Sequence, residues 1–295
     1  MNVLIVGGSG FVGTALCREL SDRGHDVTAL SRSPDDAALP ADVTTAMGDV
    51  TAYDSIESHF AGQDAVVNLV ALSPLFKPSG GDEMHDRIHR GGTEHCVRAA
   101  EEHDVSRFVQ MSALGADPNG QTAYIRAKGD AEQIVRESGL DWVIFRPSVV
   151  FGDGGEFVPF TKKLAPPYVT ALPGGGKTRF QPIWIGDLAP MLADAVEVDD
   201  HVGEAYDIGG PEVLTLAEVA KLAHSADGRP VNVVPVPMGL AGVGLSVAGK
   251  IPGFPMGADQ YRSLKFDNTT ADNDIEAFGV SASDLRTLSS YLGVN

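Results

Sequence analysis

The first twenty residues constrain the fold of this chain more than any other stretch. Residues 1–6 are an apolar run of strand-forming residues that leads directly into a loop with three glycines, and residues 14–20 predict a helix. Gly7 allows a tight turn, Gly10 lets backbone N–H groups approach a pyrophosphate, and Gly13 lets the helix pack on the strand. This order predicts a dinucleotide-binding site in a doubly wound α/β fold with a parallel sheet.

Length and charge narrow the class of protein. With 295 residues, the chain can bury one large α/β core or a main domain with a smaller one attached. The net charge of −18, from 40 acidic and 22 basic residues, argues against nucleic acid and anionic lipid as partners. Such an acidic, lysine-poor surface is typical of a halophilic protein that stays hydrated in a salt-rich cytoplasm, with an ordinary acidic protein as the alternative.

The chain carries no pattern of a membrane span. No stretch reaches the ~18 apolar residues of a spanning helix, and the first strand begins too early to leave room for a signal segment, so we expect a cytoplasmic protein. Residues 237–249 are apolar and glycine-rich; we interpret them as a packed wall, or else as a contact for an isoprenoid-like substrate, a membrane surface or a partner subunit. Cys17 and Cys96 are interpreted as structural thiols.

The end of the second predicted strand bears on the choice of cofactor. Residues 26–30 predict this strand, and Ser31 and Arg32 follow where an NAD-specific site would carry an acidic residue. A hydroxyl and a guanidinium suit a 2′-phosphate, so NADP(H) is preferred and NAD(H) is the alternative. The alternative is that Arg32 is a solvated loop residue. Asp49 is interpreted as an adenine contact or as a turn cap.

Two further strands frame the candidate chemistry. Residues 65–72 form a near-continuous apolar run, as expected of a central parallel strand buried on both faces, and residues 73–84 predict a substrate loop. Residues 105–112 predict another buried strand that ends at Ser112.

Tyr124 and Lys128 occupy positions i and i+4 of a predicted helix. Their side chains share one face, so the ammonium can favour the phenolate and lower the pKa of Tyr124 toward working pH. His85 and His89 have the same spacing, but Asp86 stands where a zinc protease motif needs Glu and a third ligand is not evident. We therefore expect no metal and interpret the two histidines as part of a helix surface.

With these residues, the chain resembles the short-chain dehydrogenases/reductases of the extended or atypical kind, a group that includes NAD-dependent epimerases and dehydratases. The resemblance covers nearly the whole chain. Within this group, the chain is similar to the branch of the NADPH-binding accessory subunit of mitochondrial complex I and its prokaryotic relatives. The features that carry the resemblance are the glycine loop, Asp49, Ser112, Tyr124 with Lys128, and residues 146–152; those of the narrower branch are residues 112–116, 206–211 and 260–268.

The resemblance implies a Rossmann core of residues 1–152, to which 183–211 return, and a substrate lobe of residues 153–182 and 212–295. It implies that Ser112 orients a substrate oxygen, that Tyr124 is the general acid or base, and that Lys128 tunes Tyr124 and binds the nicotinamide ribose. His89 stands where many members have an Asn that supports a proton relay. The cofactor-binding residues implied are Gly7, Ser9, Gly10, Phe11, Val12, Gly13, Ser31, Arg32, Asp49, Val50, Val70, Ala71, Lys128, Pro147 and Val149.

Three functions are consistent with these residues. The favoured one is an NADP(H)-dependent oxidoreductase that transfers hydride between the nicotinamide and a carbonyl or alcohol of a small-molecule substrate, an apolar substrate being one option. The second is a non-catalytic NADPH-binding structural or assembly protein, peripherally associated with a membrane or a respiratory complex. The third is an NAD(P)-dependent epimerase or dehydratase. The sequence names neither the substrate nor the oligomeric state.

Overall fold

The computed structural model describes residues 1–34, 38–237 and 258–294. Of residues 237–249, which the sequence suggested as a packed wall or a contact surface, all but the first lie outside the described residues. Within the described ranges, no helix combines the length and the apolar character needed to cross a bilayer.

A seven-stranded sheet organises the nucleotide-binding part of the chain, and its strand order is β11-β6-β5-β4-β1-β2-β3. The register between β1 and β2, β2 and β3, β1 and β4, β4 and β5, and β5 and β6 is parallel in each case. The order reverses beside the first strand, which is where ligands bind in doubly wound sheets. The strands are β1 (Asn2–Val6), β2 (Asp26–Ser31), β3 (Thr44–Met47), β4 (Ala65–Asn68), β5 (Arg107–Met111), β6 (Asp141–Pro147) and β11 (Ala205–Ile208).

The helices follow the strands in the alternation that the sequence predicted. A π-helical turn, Asp86–Arg90, joins the second and third helices without a break, and short 3₁₀ turns occur at Tyr53–Ser55, Glu57–Phe60, Asp199–His201 and Asp274–Phe278. The helices are α1 (Phe11–Asp22), α2 (Glu83–His85), α3 (Gly91–Glu102), α4 (Ala123–Glu137), α5 (Phe157–Leu164), α6 (Ile185–Glu197), α7 (Leu216–Ser225), α8 (Ala258–Ser263) and α9 (Leu288–Leu292).

The central strands are apolar because both faces of the sheet are covered. Val3 to Val6 in β1 are at most 1% exposed. The strand predicted over residues 65–72 is shorter than expected, since β4 ends at Asn68. Asn68 Oδ1 accepts the N–H of Val70 at 3.3 Å, so this backbone group bonds to a side chain rather than to a neighbouring strand.

The chain divides into two compact units. The second unit contains three two-stranded sheets and a helix, α7, that begins with a capping box of Thr215 and Glu218. The lobe boundaries inferred from the resemblance stay a prediction. The first unit comprises residues 1–72, 83–146 and 185–206, and the second comprises residues 73–82, 147–184 and the described part of 207–295. The strands of the second unit are β7 (Val150–Phe151), β8 (Tyr168–Pro173), β9 (Arg179–Phe180), β10 (Ile183–Trp184), β12 (Leu214–Thr215) and β13 (Val231–Val236).

The glycine loop is packed so closely that side chains are excluded at two positions. A Cβ atom at Gly13 would lie 2.3 Å from the carbonyl oxygen of Gly7 and 2.7 Å from Cα of Gly8. A Cβ atom at Gly8 would lie 2.7 Å from Cα of Ala29 in β2. The start of α1 therefore touches the loop backbone directly, as the sequence predicted for Gly13.

Gly13→Ala should destabilise the protein by about 2 kcal/mol, because the new methyl group forces the loop and α1 apart. Urea unfolding followed by circular dichroism measures this loss. Gly139→Ala is the matched control, since a Cβ atom there has Glu101 Oε1 as its nearest neighbour at 3.8 Å. Equal unfolding free energies for the two variants would contradict the close packing.

Candidate functional site

The glycine loop presents backbone N–H groups at the start of α1. Gly7 has φ +90°, a conformation suited to glycine, and its N–H donates to the carbonyl of Leu30 at 2.8 Å. Gly10 is the N-cap of α1 and has no side chain that could compete with an anion for the N–H groups of the first turn. Of the other predicted loop residues, Ser9 lies in the loop and Phe11 and Val12 begin α1. Because a side chain at Gly8 or Gly13 would collide with the loop or with β2, this region fits the close approach of a pyrophosphate.

The carboxyl end of β2 carries the residues predicted to select the cofactor. The hydroxyl oxygen of Ser31 is buried and has no hydrogen-bond partner among the described residues, whereas Arg32 is exposed. Asp49 Oδ1 accepts the N–H of Thr51 at 2.9 Å, so Asp49 caps a turn as one of its two interpretations proposed. The adenine contact stays a prediction.

The sequence did not point to a second arginine at this place. Hydrogen bonding from Thr51 lowers the pKa of Asp49, and the charges of Arg32 and Arg87 lower it further. Arg87 Nη2 donates to Thr51 Oγ1 at 3.4 Å. Two guanidinium groups therefore lie close enough to the Asp49 carboxylate to lower its pKa. Arg87 belongs to the π-helical turn, which no sequence pattern predicted.

The remaining predicted cofactor residues fall in both units. Val70 lies against the glycine loop, since a Cβ atom at Gly7 would be 3.2 Å from its nitrogen, and Ala71 follows it with an exposed side chain. Val50 is buried against Gly92, where a Cβ atom would be 2.8 Å from its methyl group. In the second unit, Pro147 ends β6 and Val149 N–H donates to Asn268 Oδ1 at 3.1 Å.

Tyr124 lies against two buried histidines. The imidazoles of His85 and His89 stack with centroids 5.5 Å apart, and the ring of Tyr124 meets them edge to face at 5.6 and 5.3 Å. His85 is 0% exposed and His89 is 1% exposed, so the interpretation of these residues as a helix surface is wrong. The π-helical turn widens the helix at this point and packs against α4.

Lys128 is buried behind Tyr124. Its Nζ donates to the carbonyl oxygen of Met111 at 2.8 Å and lies 6.0 Å from the centroid of the Tyr124 ring. Burial lowers the pKa of Lys128 to about 8, while the charge of Glu132 opposes this shift. Burial also raises the pKa of the Tyr124 phenol. The expectation that Lys128 lowers this pKa is therefore wrong for the chain alone, because desolvation dominates and the ammonium is directed at Met111.

Ser112 bonds to a carboxylate at the end of β5. Its Oγ donates to Glu132 Oε1 at 2.6 Å, and Ser112 is 3% exposed. Arg146 binds the same carboxylate through two bonds, from Nε to Oε1 at 2.8 Å and from Nη2 to Oε2 at 2.6 Å. The hydroxyl hydrogen of Ser112 is thus directed at Glu132. Sequence reasoning had singled out Ser112 but not Glu132, although Glu132 stands four residues after Lys128 on the same helix face.

A ladder of buried amides connects the ends of β4 and β5. Asn68 Nδ2 donates to Gln110 Oε1 at 3.0 Å and to Thr93 Oγ1 at 3.2 Å. Gln110 Nε2 donates at 3.1 Å to the Met111 carbonyl, the same oxygen that accepts from Lys128. All of these polar side chains are at most 2% exposed, and the backbone beneath Lys128 is therefore fixed by hydrogen bonds on both sides.

His89 is held as a neutral imidazole. The N–H of Leu72 donates to His89 Nε2 at 3.4 Å, which assigns the ring proton to Nδ1. Burial, with the nearby Lys128 and His85, lowers the pKa of His89 well below its ordinary value. The folded protein therefore resists protonation of this ring at pH values where an unfolded chain accepts the proton.

This difference makes stability depend on pH with a defined sign. Above the ordinary histidine pKa of about 6.5, His89 is neutral in both the folded and the unfolded protein, and the free energy of unfolding is at its full value. As the pH falls below 6.5, the unfolded protein gains a proton at His89, and the free energy of unfolding falls by up to about 1.4 kcal/mol per pH unit. His89→Asn should lose less stability than the wild type between pH 7.5 and pH 5.5 in urea unfolding. His59→Asn is the control and should follow the wild type; parallel pH profiles for wild type and His89→Asn would refute the assignment.

Comparisons with known proteins bear on the family and the fold. Residues 7–163 match the family model described as NAD(P)H-binding. The chain is 26% identical over 295 residues to NADH dehydrogenase (ubiquinone) 1 alpha subcomplex subunit 9, mitochondrial, of Arabidopsis thaliana, covering 92% of this chain and 71% of that protein. It is 30% identical over 256 residues to 2-alkyl-3-oxoalkanoate reductase of Stenotrophomonas maltophilia (strain K279a), covering 78% of this chain and 77% of that protein.

A solved structure supports the predicted fold class over the full length. UDP-glucuronic acid 4-epimerase from Bacillus cereus, in complex with UDP-glucuronic acid and NAD, is similar with a TM-score of 0.75 and 16% identity, covering 100% of this chain and 97% of that one. The Rossmann architecture predicted from the sequence is confirmed. The chain belongs to the NAD(P)H-binding family and, within it, to the extended short-chain dehydrogenases/reductases.

Proposed function

We propose that this protein is an NADP(H)-dependent oxidoreductase that interconverts a carbonyl and an alcohol. The observation that carries the proposal is Tyr124 with Lys128 beside it, the ammonium being fixed on the Met111 carbonyl at the end of a central strand. The same unit contains the glycine loop with its close-packed helix start. A phenol, a lysine and a dinucleotide loop in one unit suit proton transfer coupled to hydride transfer.

The side chains divide the proton chemistry among them. Bound nicotinamide supplies or accepts the hydride at the substrate carbon. Tyr124 stays protonated because burial raises its pKa, so it can give its proton to the substrate oxygen in the direction of reduction. Lys128 stabilises the phenolate that remains. The carboxylate of Glu132 favours the charged form of Lys128 by raising its pKa. Ser112, Tyr124 and Lys128 are the catalytic group that we propose, with Ser112 able to accept from a substrate hydroxyl.

The preference for NADP(H) over NAD(H) rests on the end of β2. Arg32 and Arg87 both act on Asp49, and the buried hydroxyl of Ser31 has no partner among the described residues. A 2′-phosphate would give the Ser31 hydroxyl an acceptor and would bring a second negative group to Arg32 and Arg87, which ribose hydroxyls would not do.

The substrate proposed is a small molecule with a carbonyl group. The relative named 2-alkyl-3-oxoalkanoate reductase favours this class, since its name describes reduction of a 3-oxo acid. Because the net charge is −18, we also propose a salt-rich cytoplasm as the working environment, and the assays below therefore use molar KCl.

A second candidate function follows from the other relative. Similarity to a subunit named for NADH dehydrogenase (ubiquinone) favours a nucleotide-binding protein of a respiratory complex, in which the nucleotide stabilises the fold by mass action. Such a protein would bind NADPH without turnover, and the bound nucleotide would raise the melting temperature of the protein.

Tyr124→Phe should abolish NADPH oxidation and leave NADPH affinity within about twofold, because the ring and its contacts with the imidazoles persist while the acid is lost. The assay follows NADPH absorbance with 3-oxo acids and cell extract as substrates, and NADPH fluorescence gives the affinity. Tyr168→Phe, on the exposed Tyr168, is the control. Turnover by Tyr124→Phe would contradict the proposal, and NADPH binding without turnover by the wild type would favour the second function.

Arg32→Ala should weaken NADPH binding by about tenfold and leave NADH binding nearly unchanged, since it removes one charged partner of the 2′-phosphate. The two dissociation constants are measured by fluorescence titration of the same preparation. Arg18→Ala, on the exposed Arg18 of α1, should change neither constant. An equal loss for both nucleotides would remove the basis for the NADP(H) preference.

A further inference from the structure

The carboxylate of Glu132 connects three elements around Lys128. Glu132 stands one turn after Lys128 on α4, accepts the Ser112 hydroxyl at the end of β5, and binds Arg146 of β6 through both oxygens. It is 4% exposed, so these bonds replace its contacts with water. A carboxylate in this position is retained only if the partners compensate for its desolvation.

The bond to Ser112 restrains the strand end on which Lys128 depends. Met111, whose carbonyl accepts from Lys128 Nζ, directly precedes Ser112. Ser112 N–H donates to the carbonyl of Phe145 in β6 at 2.6 Å, and its hydroxyl donates to Glu132, so this residue is fixed from the strand side and from the helix side. Gln110 of β5 donates to the same carbonyl and is itself bonded to Asn68 of β4.

The charges around Lys128 make the carboxylate necessary. The imidazole of His85 faces this region from α2 and the neutral imidazole of His89 faces it from the π-helical turn, while Tyr124 faces it from α4 as a neutral phenol. Arg146 adds a positive charge from β6. Among the described residues, Glu132 is the carboxylate whose charge raises the pKa of Lys128 against the effect of burial.

We propose that Glu132 is a positioning residue for Lys128: it fixes the end of β5 that holds the ammonium and supplies the negative charge that keeps this buried lysine protonated. Arg146 limits that charge by pairing with it, so the Glu132–Arg146 pair sets how strongly Lys128 is charged. Ser112 takes part in this cluster as a donor to Glu132. The inference rests on the proposed function for the role of Lys128 in the reaction.

The test is a direct titration of Lys128, which needs no nucleotide. The chain has eight lysines, so the ¹³Cε signals of labelled protein form a small set, and the signal missing from Lys128→Met identifies Lys128. In the wild type, its midpoint should lie near pH 8. Glu132→Gln keeps the shape and an acceptor for Ser112 but removes the charge, and it should lower the midpoint by about one pH unit.

A second variant predicts the opposite sign. Arg146→Met removes the two-bond partner of Glu132 and leaves only Arg136, whose Nη2 lies 3.8 Å from Oε2, so it should raise the Lys128 midpoint. A folding failure of either variant leaves the other as the test. Glu137→Gln, on the exposed Glu137 of the same helix, should leave the midpoint where it is. A general structural disturbance would move both variants in one direction. An unchanged midpoint in Glu132→Gln, or shifts of the same sign in both variants, would overturn the inference.

NADPH binding separates this inference from the proposed function. In Glu132→Gln, the fluorescence-measured affinity for NADPH should begin to fall at a lower pH than in the wild type, because Lys128 loses its charge earlier. If the wild type does not bind NADPH, the proposed function fails and the titration still decides the role of Glu132. If it binds NADPH and the titration midpoints coincide, the inference alone fails.

Discussion

The bond from the Lys128 ammonium to the Met111 carbonyl is the interaction on which the rest of the candidate site depends. It brings a charged group to the carboxyl end of the central sheet, 1% exposed, where water cannot solvate it. The surrounding structure compensates for this burial with Glu132, with the amides of Asn68 and Gln110, and with a neutral His89. Each of these groups would be costly without a partner in an apolar sheet, and each has one: Glu132 bonds to Ser112 and Arg146, Asn68 bonds to Gln110, and His89 accepts from Leu72.

Much of the fold could be predicted from the sequence because it depends on local patterns. The run of residues 1–6 followed by three glycines identifies strand, loop and helix from spacing alone, and the contact between Gly13 and the Gly7 carbonyl accounts for that pattern in atomic terms. Tyr124 and Lys128 could be placed on one helix face because the helical period is fixed. The family likewise followed from motifs that stand in sequence order.

The remainder of the site depends on contacts that have no local signal. Glu132 meets Arg146 and Ser112 only after β5, α4 and β6 have packed, and its position four residues after Lys128 resembles any surface helix pair. The burial of His85 and His89 follows from a π-helical turn, which the i and i+4 spacing does not distinguish from an ordinary helix. The pKa of Tyr124 was misjudged because a charge pair can be inferred from spacing, whereas desolvation requires knowledge of the whole environment.

The π-helical turn Asp86–Arg90 also has a consequence for how this site changes in evolution. A π turn arises when one residue is inserted into an α-helix without breaking it. Since each residue of an α-helix advances the direction of the side chains by about 100°, deletion of one residue here would rotate α2 relative to α3 by that angle. His85 would then leave the ring of Tyr124 while α3 kept its packing. A single deletion in this turn is thus sufficient to move an imidazole away from Tyr124 with little change to the rest of the fold.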